Sequence, residues 1–198
     1  MPSLALVVIA RDEERGLPFT LASARGVADE VVVAVDARTT DGTREAAAGA
    51  TVFDLRFEDF AQMRNEAIRR ARADWILMLD ADEVLEGDPR PLLDDRAIWE
   101  FPRRHWRDLG RTTPSEEDRF YPDRQARLFP NLPEVFFERP VHELVRGFPR
   151  RFTDRVVIHH LKEALRGPEL LEERRRLYAE LVARGRRDGF RFRKGRDD

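Results

Sequence analysis

Four short runs rich in apolar and β-branched residues mark the first 80 positions: Leu4 to Ala10, Glu30 to Val35, Thr51 to Leu55 and Trp75 to Leu79. Each has the length of a strand covered on both faces and is too short for an ordinary helix. Between the first two, Leu17 to Arg25 can supply a helix. Between the last two, Phe57, Phe60, Met63, Ala67, Ile68 and Ala71 recur at helical spacing, which predicts an amphipathic crossover over 58–73. Strand and helix alternate through residue 80. That alternation predicts an α/β, Rossmann-like and mostly parallel sheet flanked by helices and joined by right-handed crossovers.

Beyond residue 85 the pattern changes. Prolines at 89, 91, 102, 114, 122, 130, 133 and 140 interrupt any long helix, while 124–129 (RQARLF) and 155–160 (RVVIHH) read as shorter strands. A mixed or antiparallel second half is expected. Pro168 suits the first turn of a last helix reaching about Ala183. The organisation expected is one domain over 1–185, with halves at 1–85 and 86–166, a C-terminal helix at 167–185, and a mobile Arg-rich tail at 186–198.

Composition narrows the classes. The 198 residues carry 36 basic and 38 acidic side chains, a net charge of -2, so the chain is not a polycation that would bind nucleic acid by charge alone. Without cysteine there are no disulfides or thiolate metal sites. The seven-residue apolar run at the N-terminus lacks a basic lead and is followed at once by Arg11, Asp12, Glu13 and Glu14. It reads as neither signal peptide nor membrane span, so the expected location is cytoplasmic. The last helix sets Arg174, Arg175, Arg176, Arg184, Arg186 and Arg187 beside Leu170, Leu171, Leu177 and Leu181. This is compatible with peripheral contact at the inner membrane face, and the interleaved Glu172, Glu173 and Glu180 are equally compatible with a solvated helix.

Candidate chemistry gathers where doubly wound sheets bind ligands, beyond the carboxyl ends of the strands. The first strand runs into RDEE at 11–14, the second into DARTTDGT at 36–43, and the fourth into DADE at 80–83. Asp80 and Asp82 directly follow five apolar residues. Acids at the mouth of a buried strand need compensation, and a divalent cation bridging to phosphate is one form of it. Capping of the following turn is the other reading.

The succession VVIARDEERGLP, VADEVVVAVDARTTDGT, FAQMRNEAI and ADWILMLDADEVL, followed by Arg127-Leu128-Phe129, Val141-His142-Glu143 and Ile158-His159-His160, resembles glycosyltransferase family 2, nucleotide-sugar-dependent enzymes with the GT-A fold. Within it the blocks are most similar to the small branch related to lipopolysaccharide core glucosyltransferases. They span roughly 3–160 in the family's order, and the order is more specific than any single block.

The resemblance implies a nucleotide-sugar-binding half at 1–85, an acceptor-side half at 86–166, and transfer of a sugar from a nucleoside-diphosphate sugar to an acceptor hydroxyl. It further implies inverting, divalent-metal-dependent (Mn2+ or Mg2+) chemistry in cell-envelope glycan or glycolipid synthesis, with a glycan or lipid-linked acceptor. Asp36 would recognise the base, with Ala10, Arg11 and Glu13 as the other wall. Asp41 would lie near base or ribose, or merely cap the next helix. Arg64 would meet a phosphate, order the acid loops, or pair on the helix surface. Asp80 would contact ribose or metal-bound water, and Asp82 and His160 would bind the metal, with His159 the alternative histidine. Glu143 is the candidate general base and His142 its rival, unless Glu143 serves a cap or salt bridge. Asp12 stands where the family usually has Asn, and Ala37-Arg38 replace a small Ser-Gly pair. A catalytically degenerate domain that binds a nucleotide sugar or protein partner, and a nucleotidyltransferase, are the other classes compatible with the sequence.

Overall fold

In the computed structural model, residues 1–192 are described. The chain forms β1 (Leu4–Ala10), α1 (Leu17–Ser23), β2 (Glu30–Asp36), α2 (Thr43–Ala46), β3 (Thr51–Leu55), α3 (Phe60–Ile68), β4 (Trp75–Asp80), β5 (Glu83–Glu86) and β6 (Ile98–His105). It continues with β7 (Asp123–Pro130), β8 (Phe136–Glu138), β9 (Leu144–Arg146), β10 (Arg150–Phe152), β11 (Val157–His160), α4 (Lys162–Leu165) and α5 (Pro168–Arg187).

One nine-stranded sheet runs in the order β3-β2-β1-β4-β7-β6-β11-β5, with β10 beside β6. The first four strands are parallel. β7 lies antiparallel to both β4 and β6, β11 parallel to β6, and β5 antiparallel to β11. A separate β8–β9 pair sits off the sheet. The second half is therefore mixed, and it extends the same sheet across β4.

The uninterrupted apolar runs follow from coverage on both faces. Leu4, Leu6, Val8, Val33, Val35, Trp75, Leu77 and Leu79 pack into one layer with Leu17 and Ala24 around α1. The intervening Ala5, Val7, Val32, Ala34, Ile76 and Met78 face the other way, against Ala61, Met63, Ala67 and Ile68 around α3. Leu4, Leu6, Ile76, Leu77 and Leu79 are fully buried, each worth about 1.5–3 kcal/mol relative to exposure. Asp59 caps α3 by accepting from the Gln62 amide at 2.8 Å, which sets its start at Phe60, and the helix ends at Ile68, short of the span the apolar spacing predicts.

Pro168 opens α5 as expected, but the helix runs to Arg187 rather than about Ala183. Leu181 and Val182 bury against Val141, with Phe57, Phe60 and Leu177 around them, and Phe192 folds back onto this cluster. Part of the predicted tail is thus packed, while 193–198 lie outside the described residues. On α5, Arg174 and Arg184 turn inward to Glu13 and Asp59, and Arg175 and Arg176 pair with Glu172. Among the described residues no helix is long and apolar enough to cross a membrane.

Candidate active site

The parallel register sets β1, β2 and β4 side by side, so their following turns meet at one sheet edge. Asp12 begins the first turn with a positive φ of 51°, a conformation that Asn and Asp tolerate best among side-chain-bearing residues. Its carboxylate accepts from the Thr40 amide at 2.9 Å, tying the β1 turn to the β2 turn. Asp41 adds to the tie by accepting from the amides of Glu14 and Thr43, each at 3.0 Å, and from the Thr43 hydroxyl. Its contacts are those of a loop organiser, and α2 opens at Gly42 without a side-chain cap. Gly16 packs where an added Cβ would stand 2.7 Å from the Ala81 carbonyl oxygen, which brings the β4 turn against the first.

Four acids at this edge, Glu13, Asp36, Asp80 and Asp82, are held by arginine. Asp36 is 1% exposed and is gripped by Arg38 through the backbone amide at 3.0 Å and the guanidinium at 2.6 Å, with Arg11 at 4.0 Å. Burial opposes its ionisation, but the hydrogen bonds and charge of Arg38 more than offset this and hold its pKa below the usual carboxylate value. Arg38, the departure from the family's small pair, thus lies directly on the expected base-recognition residue. Ala10 places its side chain in the core, so only its backbone faces this edge.

Asp80 receives Arg64 Nη2 at 2.6 Å on one oxygen and Arg127 Nη2 at 2.9 Å on the other. Arg127 also reaches the fully buried Glu83 at 2.6 Å, and Arg64 Nε reaches Glu143 at 2.8 Å. Arg64 is therefore a buried bridge between the β4 turn and the second half, rather than a surface-paired residue. Asp82, 3% exposed, accepts from Arg166, which also binds Glu13. Arg174 reaches Glu13 as well. Burial works against ionisation of both Asp80 and Asp82, and the arginines outweigh it, keeping both well below the ordinary value.

The two histidines at the end of β11 diverge as strand alternation requires. His160 turns toward Asp82, its Nε2 at 3.2 Å, while Nδ1 meets His105 Nδ1 at 3.1 Å. Burial lowers the His160 pKa against the opposing pull of Asp82. His159 faces the other way, accepting from Trp106 Nε1 at 3.0 Å. His142, at φ 51°, packs edge-on to Tyr178 and Phe192 beside α5.

The acid turns, Arg64, Glu143 and His160 are brought together. Arg127, expected as a functional arginine of the second half, completes the ionic network with Arg166 and Arg174, which were not among the expected site residues. Arg127 had a signal in the RLF block, whereas Arg166 sits in a short link before Pro168 with none.

A parallel sheet with acid turns at its carboxyl edge, continued by an antiparallel strand into a mixed second half, is the GT-A architecture. Residues 5–93 match the sequence model of Glycosyl transferase family 2. A TPR repeat-containing protein of Synechococcus elongatus is 39% identical over 153 residues, covering 73% of this chain and 36% of its own length. Crystal structures of S. aureus TarS with UDP superpose with a TM-score of 0.55 at 15% identity, over 91% of this chain and 65% of that one. The chain thus spans about a third of the first relative and under two thirds of the second.

Proposed function

We propose that the protein transfers a sugar from a nucleoside-diphosphate sugar to an acceptor hydroxyl by a single, inverting displacement. The observation that carries this reading is the convergence of Glu13, Asp36, Asp80 and Asp82 at the carboxyl edge of the segment that matches family 2. TarS, which shares the fold, is seen with UDP and with UDP-GlcNAc, so uridine donors are the first to test. The envelope glycan or glycolipid acceptor rests on the resemblance of the sequence blocks to the lipopolysaccharide core branch.

In this reading the base binds near Asp36, with Arg38 moving off the carboxylate, and the diphosphate lies toward Asp82. As the bond between the anomeric carbon and the diphosphate oxygen breaks, negative charge grows on the leaving group. Arg166 and Arg174 stand where guanidinium groups can receive it. Glu143, oriented by Arg64, takes the proton of the attacking hydroxyl. The Asp80 and Asp82 pair does not fit a bound divalent ion as arranged: both Asp80 oxygens and Asp82 Oδ2 accept from arginines, so an ion at Asp82 would have to displace Arg166. The charge on the diphosphate is accordingly assigned to arginine.

Because Glu143 and Asp82 are both in ion pairs, a domain that binds a nucleotide sugar without turnover is the second reading. Thermal shift with uridine, guanosine and thymidine diphosphates, followed by assays of nucleoside diphosphate release over an acceptor panel, separates the two. A raised Tm with one nucleotide, reduced in Arg174→Ala, is expected. Glu143→Gln is expected to keep that Tm rise and lose about 10²- to 10⁴-fold in turnover. A rise without turnover on any acceptor would favour the binding domain. No rise with any nucleotide would sink both.

A further inference from the structure

β6 and β11 run parallel with His105 opposite His160, so the two imidazoles stand side by side on one face of the sheet. Their Nδ1 atoms are 3.1 Å apart. At its far end each ring meets a carboxylate: His105 Nε2 lies 3.2 Å from Asp123, and His160 Nε2 lies 3.2 Å from Asp82. When Asp123 and Asp82 accept hydrogens from the two Nε2 atoms, the Nδ1 atoms are the nitrogens left to act as ligands, and they face one another across 3.1 Å.

A third donor converges on the same place. The 3-10 turn Glu116–Phe120, capped by Ser115, carries Glu117 in to 3.3 Å from His105 Nδ1. Lys162, at the start of α4, holds its other carboxylate oxygen at 2.5 Å. One ligand atom from each of the three residues lies within 4.8 Å of the other two. Two ligand atoms at about 2.0–2.1 Å from a tetrahedral centre are themselves about 3.3 Å apart. The separations from His105 Nδ1 to His160 Nδ1 and to Glu117, 3.1 and 3.3 Å, fit that spacing.

We propose that His105 Nδ1, His160 Nδ1 and Glu117 form a site for a divalent cation of the zinc, cobalt or manganese class. Asp123 and Asp82 then act as the outer carboxylates that fix ring orientation and tautomer, the usual support for metal-binding histidine. Two nitrogens and one oxygen suit these borderline cations and disfavour magnesium or calcium, which prefer all-oxygen shells. The ligands differ from the Asp80, Asp82 and His160 set expected from the motif, whose carboxylates are held by arginine. The inference does not rest on sugar transfer.

The test is calorimetric titration of the chelator-stripped full chain with Co2+ and Zn2+, with visible spectra of the cobalt form. One equivalent bound, with cobalt d–d bands, is expected for the wild type, and no comparable binding of Mg2+. Glu117→Gln and His105→Ala are each expected to weaken binding at least tenfold and change the bands. Asp123→Asn is expected to weaken it about 10- to 100-fold. Glu117 is 41% exposed, so Glu117→Gln leaves the fold intact and carries the test even if His105→Ala does not fold. Absence of stoichiometric Co2+ and Zn2+ binding would overturn the proposal and assign the His105–His160 contact to a shared proton. Binding that survives Glu117→Gln and His105→Ala but disappears in Asp82→Asn would overturn it too, by moving the ion to the acid turn.

Discussion

The two halves of the molecule divide the candidate site by sign of charge. Residues 1–85 supply the acids at the ends of parallel strands, namely Glu13, Asp36, Asp80, Asp82 and Glu83. Residues beyond 85 supply Arg127 from β7, Arg166 from the link after α4, and Arg174 from α5. The division is not complete: Asp36 is held by Arg38 and Arg11 of its own half, Asp80 also receives Arg64, and Arg64 in turn meets Glu143 of the second half. The contrast implies that the docking of the second half is an electrostatic requirement as well as a matter of strand pairing. Without it Glu13 and Asp82 would face low-dielectric surroundings without their guanidinium partners, a state that costs several kcal/mol per ion.

Removing one cross-half cation should therefore have the largest effect. Arg127→Met leaves Asp80 without one of its two arginines and leaves the fully buried Glu83 with only Arg103, at 3.1 Å. A loss of roughly 3–5 kcal/mol in urea unfolding is expected. A double-mutant cycle with Glu83→Gln should be non-additive by at least about 0.5 kcal/mol. Additive losses would show that the two halves are joined by packing alone.

That division also decides what could be read in the sequence. The first half was legible because each strand is a bounded apolar run whose alternate residues fill two layers, so burial on both faces writes itself into composition. The second half hid its central strand. β6 carries Pro102 and reads IWEFPRRH, with a register shift between Trp99 and Glu100, so proline punctuation pointed away from a strand that pairs on both sides. β5 was also missed, since EVLE is short and amphipathic. The same blindness covered His105 at the end of β6, and with it the histidine pair. The acid turns were legible because strand ends locate them. Their partners were not, because pairing Asp82 with Arg166 spans 84 residues and leaves no local signature.

A smaller effect is expected where the first half closes on itself. The backbone at Gly16 is helical and unstrained, but an added Cβ would come 2.7 Å from the Ala81 carbonyl and 3.1 Å from Leu165, so backbone must move. Gly16→Ala is expected to cost roughly 1–3 kcal/mol by thermal or urea unfolding, and to weaken nucleotide binding by shifting the β4 turn. Wild-type stability in this variant would mean that the two turns are free to separate, and that the ion pairs alone keep Asp82 near Glu13.

The smallest effect should come from Asp36, whose arginines Arg38 and Arg11 both belong to its own half, and it should appear as a dependence on pH. Burial pushes the Asp36 pKa up, but Arg38 and, more weakly, Arg11 bring it below its ordinary value. The unfolded group titrates near 3.9 (about the model-peptide value), and a folded pKa below this adds stability that is fully present above about pH 4 to 5. That contribution fades as the pH falls through the folded value, because the unfolded chain then binds the proton first. Asp36→Asn should therefore flatten the fall in urea midpoint between about pH 4 and pH 2. Other depressed carboxylates, Asp80 and Asp82 among them, contribute acid sensitivity to both proteins, so the difference between the two slopes isolates Asp36. Equal slopes would mean that Arg38 does not hold the carboxylate in solution, and Asp36 would then be open to a nucleotide base without any movement of the arginine.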